Sequence, residues 1–236
     1  ELAVRTPNGA RDRLRTLRAG NGGKLPGPAT VVFEPGRYEL PEPWVLEPQD
    51  SGTEEAPVEY LAGGPVILSA GTMLGDWRTA EFNGRVVWAA DLPKGFEPRR
   101  DGGPAFRSMW ITGERKTWAR YPNGGKFALV ADVPEKPAGD WTKGPLSFAF
   151  GADDAAAWAS VEPGAEVVTF SRWVDSHMKL KAVEGPLARL ETPTMIGLEK
   201  GDLYYVEGSP KLLDEPGEWW CDATARVLYY LPRDGG

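Results

Sequence analysis

The sequence VVFEPG at residues 31–36 returns in related form as VEYLAG at residues 58–63. Each stretch is a short apolar run that ends at a glycine, which is typical of a strand followed by a turn. Solenoid proteins repeat at intervals of roughly 20–50 residues, so the spacing suits successive coils of a parallel β-helix. Further short strands are predicted at residues 37–40, 44–46 and 66–69, between proline, glycine and polar turns.

Before these strands, the spacing of apolar residues predicts one helix. Ala10, Leu14 and Leu17 fall at positions i, i+4 and i+7, which places them on one helix face. Asn8 suits the N-cap and Gly20 can end the helix. The apolar stripe is narrow, so we expect the helix to cover one edge of a larger structure.

The pattern changes near Asp76, where the chain begins to resemble antiparallel hairpins. Asn83-Gly84 between alternating flanks is the strongest hairpin signal, and Asp175-Ser176 is predicted to be another turn. A short helix is predicted at residues 153–160, capped by Asp153 or Asp154. Strands are predicted at residues 107–111, 116–121, 167–174, 178–183, 187–190, 203–206, 218–221 and 226–231. This succession is typical of a sandwich or small barrel.

Composition excludes several classes of function. The net charge of −7 disfavours a nucleic-acid partner. Cys221 is the single cysteine, which rules out an intrachain disulfide and Cys-x-x-Cys motifs, and one histidine makes a zinc site of protein ligands improbable. No apolar run approaches the ~18 residues of a membrane span. We therefore expect no metal and no cofactor.

Five residues are candidates for ligand binding. His177 can exchange protons near neutral pH with Asp175 orienting it, although both suit a surface hairpin tip. Trp219 and Trp220 are adjacent, so one of them should face outward if both lie in a strand. The outward indole would need cover from a neighbouring domain or from a ligand such as the face of a sugar, although most tryptophans of a β-rich chain fill the core. Arg120 could pair with an acidic ligand or form a structural ion pair.

Four stretches resemble bacterial right-handed parallel β-helix proteins related to pectate-lyase-like glycoside hydrolases. The segment at residues 10–15 resembles their entry helix, and residues 31–60 resemble their first coils. WARYPN at residues 118–123 resembles part of an inserted β-sandwich or barrel-like domain. LDEPGEWW at residues 213–220 and LYYLP at residues 228–232 resemble the hairpin that closes this insert, and they are the most specific match.

The resemblance implies a mainly β fold with two parts. Residues 1–75 would be a capping helix and the first β-helix coils, and residues 76–236 would be the inserted antiparallel domain. The main β-helix, which carries the family's catalytic carboxylates, would follow. No catalytic residue can therefore be assigned, and we expect this chain alone to be inactive, although its full-length parent would be a glycoside hydrolase or polysaccharide lyase.

Three functions stay open at this point. The chain could be the non-catalytic start of a secreted polysaccharide-degrading protein, extracellular or periplasmic after removal of a signal peptide, that caps the β-helix and shapes a substrate cleft. It could be a carbohydrate-binding module that uses exposed tryptophans. It could also be a purely structural cap. An exposed β-helix edge would permit dimerisation.

Overall fold

The computed structural model describes residues 3–96, 106–135 and 140–233. The chain is mainly β and divides into two compact units, Glu1–Met73 and Leu74–Gly236.

The first unit begins with helix α1, Pro7–Ala19. The hydroxyl of Thr6 accepts a hydrogen bond from the Gly9 backbone N–H at 3.0 Å, so Thr6 is the N-cap. Proline fits the first helical position because its missing N–H would have no partner there. The prediction that Asn8 caps the helix was therefore wrong, whereas Gly20 ends the helix as predicted.

A buried carboxylate anchors this helix to the loop that follows the first strands. The guanidinium of Arg15 donates to both carboxylate oxygens of Asp50, at 2.8 and 2.7 Å. These bonds lower the pKa of Asp50 to about 2. The predicted strand at residues 44–46 is irregular, and it instead offers the carbonyl of Val45 to Arg11 at 3.0 Å.

The strands of the first unit pair in parallel. Strand β1 (Ala29–Phe33) lies beside β3 (Val58–Ala62), and β2 (Gly36–Glu39) lies beside β4 (Val66–Ser69). The two related stretches of sequence are thus direct neighbours, with Val31 opposite Tyr60. The offset between partners is similar in both pairs, as successive coils of one repeat require. The full β-helix stays a prediction.

The second unit is built of thirteen described strands and one short helix, α2. The strands are β5 (Arg78–Phe82), β6 (Arg85–Asp91), β7 (Met109–Ile111), β8 (Glu114–Trp118), β9 (Arg120–Tyr121), β10 (Ala128–Asp132), β11 (Ser147–Phe150), β12 (Glu166–Ser171), β13 (Val174–Glu184), β14 (Leu187–Leu190), β15 (Leu203–Glu207), β16 (Glu218–Asp222) and β17 (Val227–Tyr230); α2 is Ala155–Trp158.

Six of these strands close into an antiparallel barrel, in the order β10-β11-β14-β13-β12-β15, with β15 pairing back to β10. Strand β9 extends the wall beside β15. Apolar side chains such as Val167, Leu180 and Tyr204 fill the interior. Alternate residues of the same strands face outward. The barrel therefore confirms the antiparallel part of the predicted fold.

The other strands form a six-stranded sheet in the order β5-β6-β17-β16-β8-β7. Asn83 and Gly84 have φ angles of 52° and 70° and join β5 to β6 as predicted, because a two-residue hairpin of this type needs both in the left-handed region. Helix α2 is shorter than predicted. The carboxylate of Asp154 does not cap it and instead accepts hydrogen bonds from the hydroxyls of Tyr121 and Tyr204.

The hairpin that carries the single histidine turns earlier than predicted. Strands β12 and β13 are joined by Arg172 and Trp173, with Ser171 opposite Val174. Asp175 and Ser176, predicted to form the turn, lie inside β13. His177 is therefore a mid-strand residue on the barrel wall rather than part of a hairpin tip.

Candidate functional site

A cluster of charged side chains lies on the outer wall of the barrel. Glu166 on β12 and Glu207 on β15 face each other across adjacent strands. His177 on β13 lies on the same side of the sheet. Their neighbours along each strand, such as Val167 and Val206, belong to the barrel core, so strand alternation turns the charged residues outward.

Arg107 connects the two glutamates of the cluster. Its guanidinium donates two parallel hydrogen bonds to the carboxylate of Glu166, and it lies 3.7 Å from Glu207. An arginine that donates two parallel N–H groups to the two oxygens of a carboxylate forms a stronger pair than a single hydrogen bond between neutral groups does. The Arg107 guanidinium also lies 5.8 Å from the Trp118 ring.

His177 lies between two carboxylates. Its Nδ1 is 2.6 Å from Glu166 and its Nε2 is 3.1 Å from Asp175. Partial burial lowers the pKa of His177, but the hydrogen bonds to Glu166 and Asp175 raise it by more, so the net shift is upward. The arrangement favours the imidazolium form.

The two glutamates have opposite pKa shifts although they are neighbours. Burial raises the pKa of Glu207 to about 7, and the negative charge of Glu166 adds to the rise. Burial also raises the pKa of Glu166, but hydrogen bonds from Arg107 and His177 outweigh it and the net shift is downward. One carboxyl group is thus a proton donor near neutral pH while the other stays ionised, a pattern suited to acid–base chemistry or to holding polar hydroxyl groups.

Arg120 lies beside this pair on β9, directly opposite Glu207 in the sheet. Its guanidinium carbon is 3.9 Å from the centre of the Tyr205 ring, a close cation–π contact. The guanidinium also donates to the backbone carbonyls of Pro122, at 3.2 Å, and Lys126, at 2.6 Å. These contacts hold Arg120 on the same face of the sheet as Glu207, beside the cluster.

Three of these side chains offer atoms to a cation. Ligand atoms of Glu166, His177 and Glu207 lie within 4.8 Å of one another. The guanidinium of Arg107 already contacts both carboxylates, so an incoming cation would have to displace it.

Trp219 cannot bind a ligand in this structure, because it is fully buried. Its ring stacks on Phe106 and Trp118, with centroid distances of 5.1 and 5.8 Å. Trp220 points to the opposite side of β16, as strand alternation predicts, but its ring stacks on Phe82 and its indole N–H donates to the Gly208 carbonyl. Trp219 is thus part of one buried core cluster, whereas Trp220 is partly buried and packs against another, and ligand binding by Trp220 stays a prediction.

His177, Asp175 and Arg120 do come together around the two glutamates. Arg107, Glu166 and Glu207 were not predicted from the sequence, because each is distant in sequence from the histidine or from its partner. The alternation of Ser176, Met178 and Leu180 with polar residues in β13 could have placed His177 in a strand, since buried and polar residues alternate there.

Comparison with known proteins supports a glycoside hydrolase-related fold. A solved structure described as "Glycoside hydrolase" is similar to this chain with a TM-score of 0.73 and 26% identity. The similarity covers 97% of this chain and 40% of the other protein, so this chain spans well under half of that length. No protein-family model matches the sequence, and no curated protein matches it.

Among the described residues, no helix has both the length and the apolar character needed to cross a membrane.

Proposed function

We propose that this chain is the N-terminal segment of a secreted polysaccharide-degrading protein with a right-handed parallel β-helix. Residues 1–75 begin the β-helix, and residues 76–236 are an inserted domain that helps to shape the substrate site. The catalytic residues belong to the β-helix beyond this segment, and the segment alone is not catalytic.

The observation that carries this proposal is the parallel pairing in the first unit, taken together with similarity to a longer protein named as a glycoside hydrolase. Parallel neighbours that recur after about thirty residues are typical of a coil repeated along a solenoid. Such coils stabilise one another only by stacking, so a continuing β-helix is the natural partner of strands β3 and β4.

The charged cluster gives the inserted domain a chemical role. Sugars present many hydroxyl groups, each of which can donate and accept hydrogen bonds. A protonated Glu207, an ionised Glu166 and a charged His177 offer both donors and acceptors within a small area of the barrel wall. We assign these residues to substrate positioning rather than to bond cleavage.

The test compares the full-length gene product with the chain of residues 1–236 on a panel of polysaccharides. New reducing ends report hydrolysis, and unsaturated sugar ends report elimination. We expect cleavage by the full-length protein and none by this chain. In the full-length protein, His177→Ala should raise KM with little effect on kcat, and Glu191→Gln, at an exposed position, should leave both unchanged.

Cleavage by this chain alone would contradict the proposal, because the catalytic group would then lie within it. The proposal would also be contradicted if the sequence encoded after residue 236 lacked short, regularly spaced strand patterns. If His177→Ala lowered kcat without changing KM, the charged cluster would have a role in catalysis rather than in substrate positioning.

A further inference from the structure

Two exposed tryptophans lie side by side near the hairpin that joins β12 to β13. Trp173 occupies the turn and is 74% exposed, and Trp141 is 50% exposed. Their ring centroids are 5.8 Å apart and their planes are inclined by 68°. The pair presents a ridged aromatic surface to solvent, and neither ring belongs to the buried core clusters.

Arg172 and Trp173 form the turn between β12 and β13. Arg172 adopts a φ of 54°, a left-handed conformation that favours glycine and is strained for other residues. Asn-Gly would satisfy a two-residue hairpin without strain, as Asn83-Gly84 does elsewhere in this unit. Pairing of β12 with β13 and β15 fixes the position of this turn, and the turn leaves the Trp173 indole exposed to solvent.

The second ring is held in place by its surroundings. The backbone carbonyl of Trp141 accepts a hydrogen bond from the Gly197 N–H at 2.7 Å. A Cβ at position 197 would lie 3.0 Å from that carbonyl oxygen, which is a tight contact, so glycine suits this position. The guanidinium of Arg172 lies 5.5 Å from the Trp141 ring and covers part of it. The surface is thus preorganised, which reduces the entropy lost on binding.

The charges around the two rings form pairs of opposite sign. Arg172 lies 3.6 Å from Glu199, and Lys143 lies 3.5 Å from Asp140. Each of these pairs combines one positive and one negative side chain, so together they add no net charge to this surface. A strongly acidic ligand or an anionic membrane surface would find little electrostatic attraction there.

We propose that Trp141 and Trp173 form a binding platform for a neutral polysaccharide. A pyranose ring has an apolar C–H face that fits against an indole, while its hydroxyl groups can contact the polar rim. This inference rests on the proposed carbohydrate function and adds a site separate in sequence and chemistry from the charged cluster. The platform holds the polysaccharide and takes no part in cleavage.

Affinity electrophoresis tests the proposal with the chain of residues 1–236 in gels that contain β-glucan, xylan or galactomannan, with polygalacturonate as the acidic comparison. Calorimetry with oligosaccharides of the bound polymer then gives Kd. We expect Trp173→Ala and Trp141→Ala each to weaken binding about tenfold or more, and Trp173→Phe to keep most of it. Trp110→Ala is the matched control, since Trp110 is 57% exposed on β7 in the other sheet.

Circular dichroism and thermal unfolding should be the same for the wild type and Trp173→Ala, because the ring is not packed in the core. Binding that Trp173→Ala leaves unchanged would overturn the proposal, as would binding to polygalacturonate alone or to none of the neutral polymers. A dimer that dissociates in Trp173→Ala, without any glycan binding, would show a protein contact instead. Polysaccharide cleavage by the full-length protein is scored separately, so failure of the platform and failure of the proposed function give different results.

Discussion

The Glu207→Gln substitution tests whether folding disfavours the ionised form of Glu207. Burial raises the pKa of Glu207 from 4.5 to about 7, so folding favours its protonated form. The stability that this group contributes is fully present below pH 4.5 and is lost as the pH rises through about 7. That rise corresponds to about 3 kcal/mol of unfolding free energy, because each pKa unit is worth about 1.4 kcal/mol.

Glutamine has the shape of the protonated acid and cannot ionise. We therefore expect Glu207→Gln to unfold with nearly the wild-type free energy at pH 4.5 and to be more stable than wild type at pH 8, by up to about 3 kcal/mol. Urea unfolding followed by tryptophan fluorescence at several pH values measures the difference, because nine of the ten tryptophans lie in the second unit.

Glu191→Gln is the matched control, since Glu191 is an exposed glutamate in the same unit. It should leave the pH dependence of stability unchanged. A Glu207→Gln protein that is less stable than wild type at pH 8 would refute the reasoning, because the carboxylate would then be stabilised by Arg107 and Arg120 more than burial destabilises it. Equal stability at every pH would refute it too.

Three further substitutions test individual contacts in the second unit. The single histidine gives one imidazole signal in NMR titrations, and Glu166→Gln should lower the pKa of His177 because it removes a charged acceptor; an unchanged pKa would contradict the contact. Trp219→Ala should lower the free energy of unfolding by about 3–5 kcal/mol in urea titrations, and a loss below about 1 kcal/mol would contradict its burial. Gly144→Ala should lower the melting temperature or prevent folding, since the added Cβ would lie 1.8 Å from the Thr194 carbonyl oxygen; an unchanged melting temperature would contradict this packing.

Local sequence rules predicted the elements whose geometry is set by neighbouring residues. Asn83-Gly84 formed its hairpin because both residues tolerate a positive φ. The spacing of the related stretches at residues 31–36 and 58–63 predicted neighbouring strands, and residues 31–33 pair in parallel with residues 60–62. Closure of the barrel could not be predicted from local sequence, because β10 and β15, which pair to close it, are far apart in sequence.

The turn at Arg172 and Trp173 shows where such rules fail. Asp175 and Ser176 have the stronger turn propensity, yet they lie within a strand. Strand β12 pairs with β15 on its other side, and this pairing commits residues 166–170 to the wall. Tertiary pairing therefore determined the position of the turn, and Arg172 accepted a strained conformation as a result.

The candidate site could be predicted only in part for the same reason. His177 and Asp175 are two residues apart, so they were recognised together. Arg107 lies 59 residues before Glu166, and Glu207 follows on another strand. Only the register of three strands brings these groups together, and register is a property of the whole barrel.

The closure of the barrel has a consequence for how it opens. Strand β10 shares only two facing residue pairs with each of its neighbours, β15 and β11, whereas β12 and β13 share six. The amide protons along β10 should therefore exchange with solvent before those of β12 and β13. The barrel would then open into a curved sheet while β12, β13 and β15, which carry the two glutamates and the histidine, remain paired. The charged cluster should therefore persist after the barrel has opened.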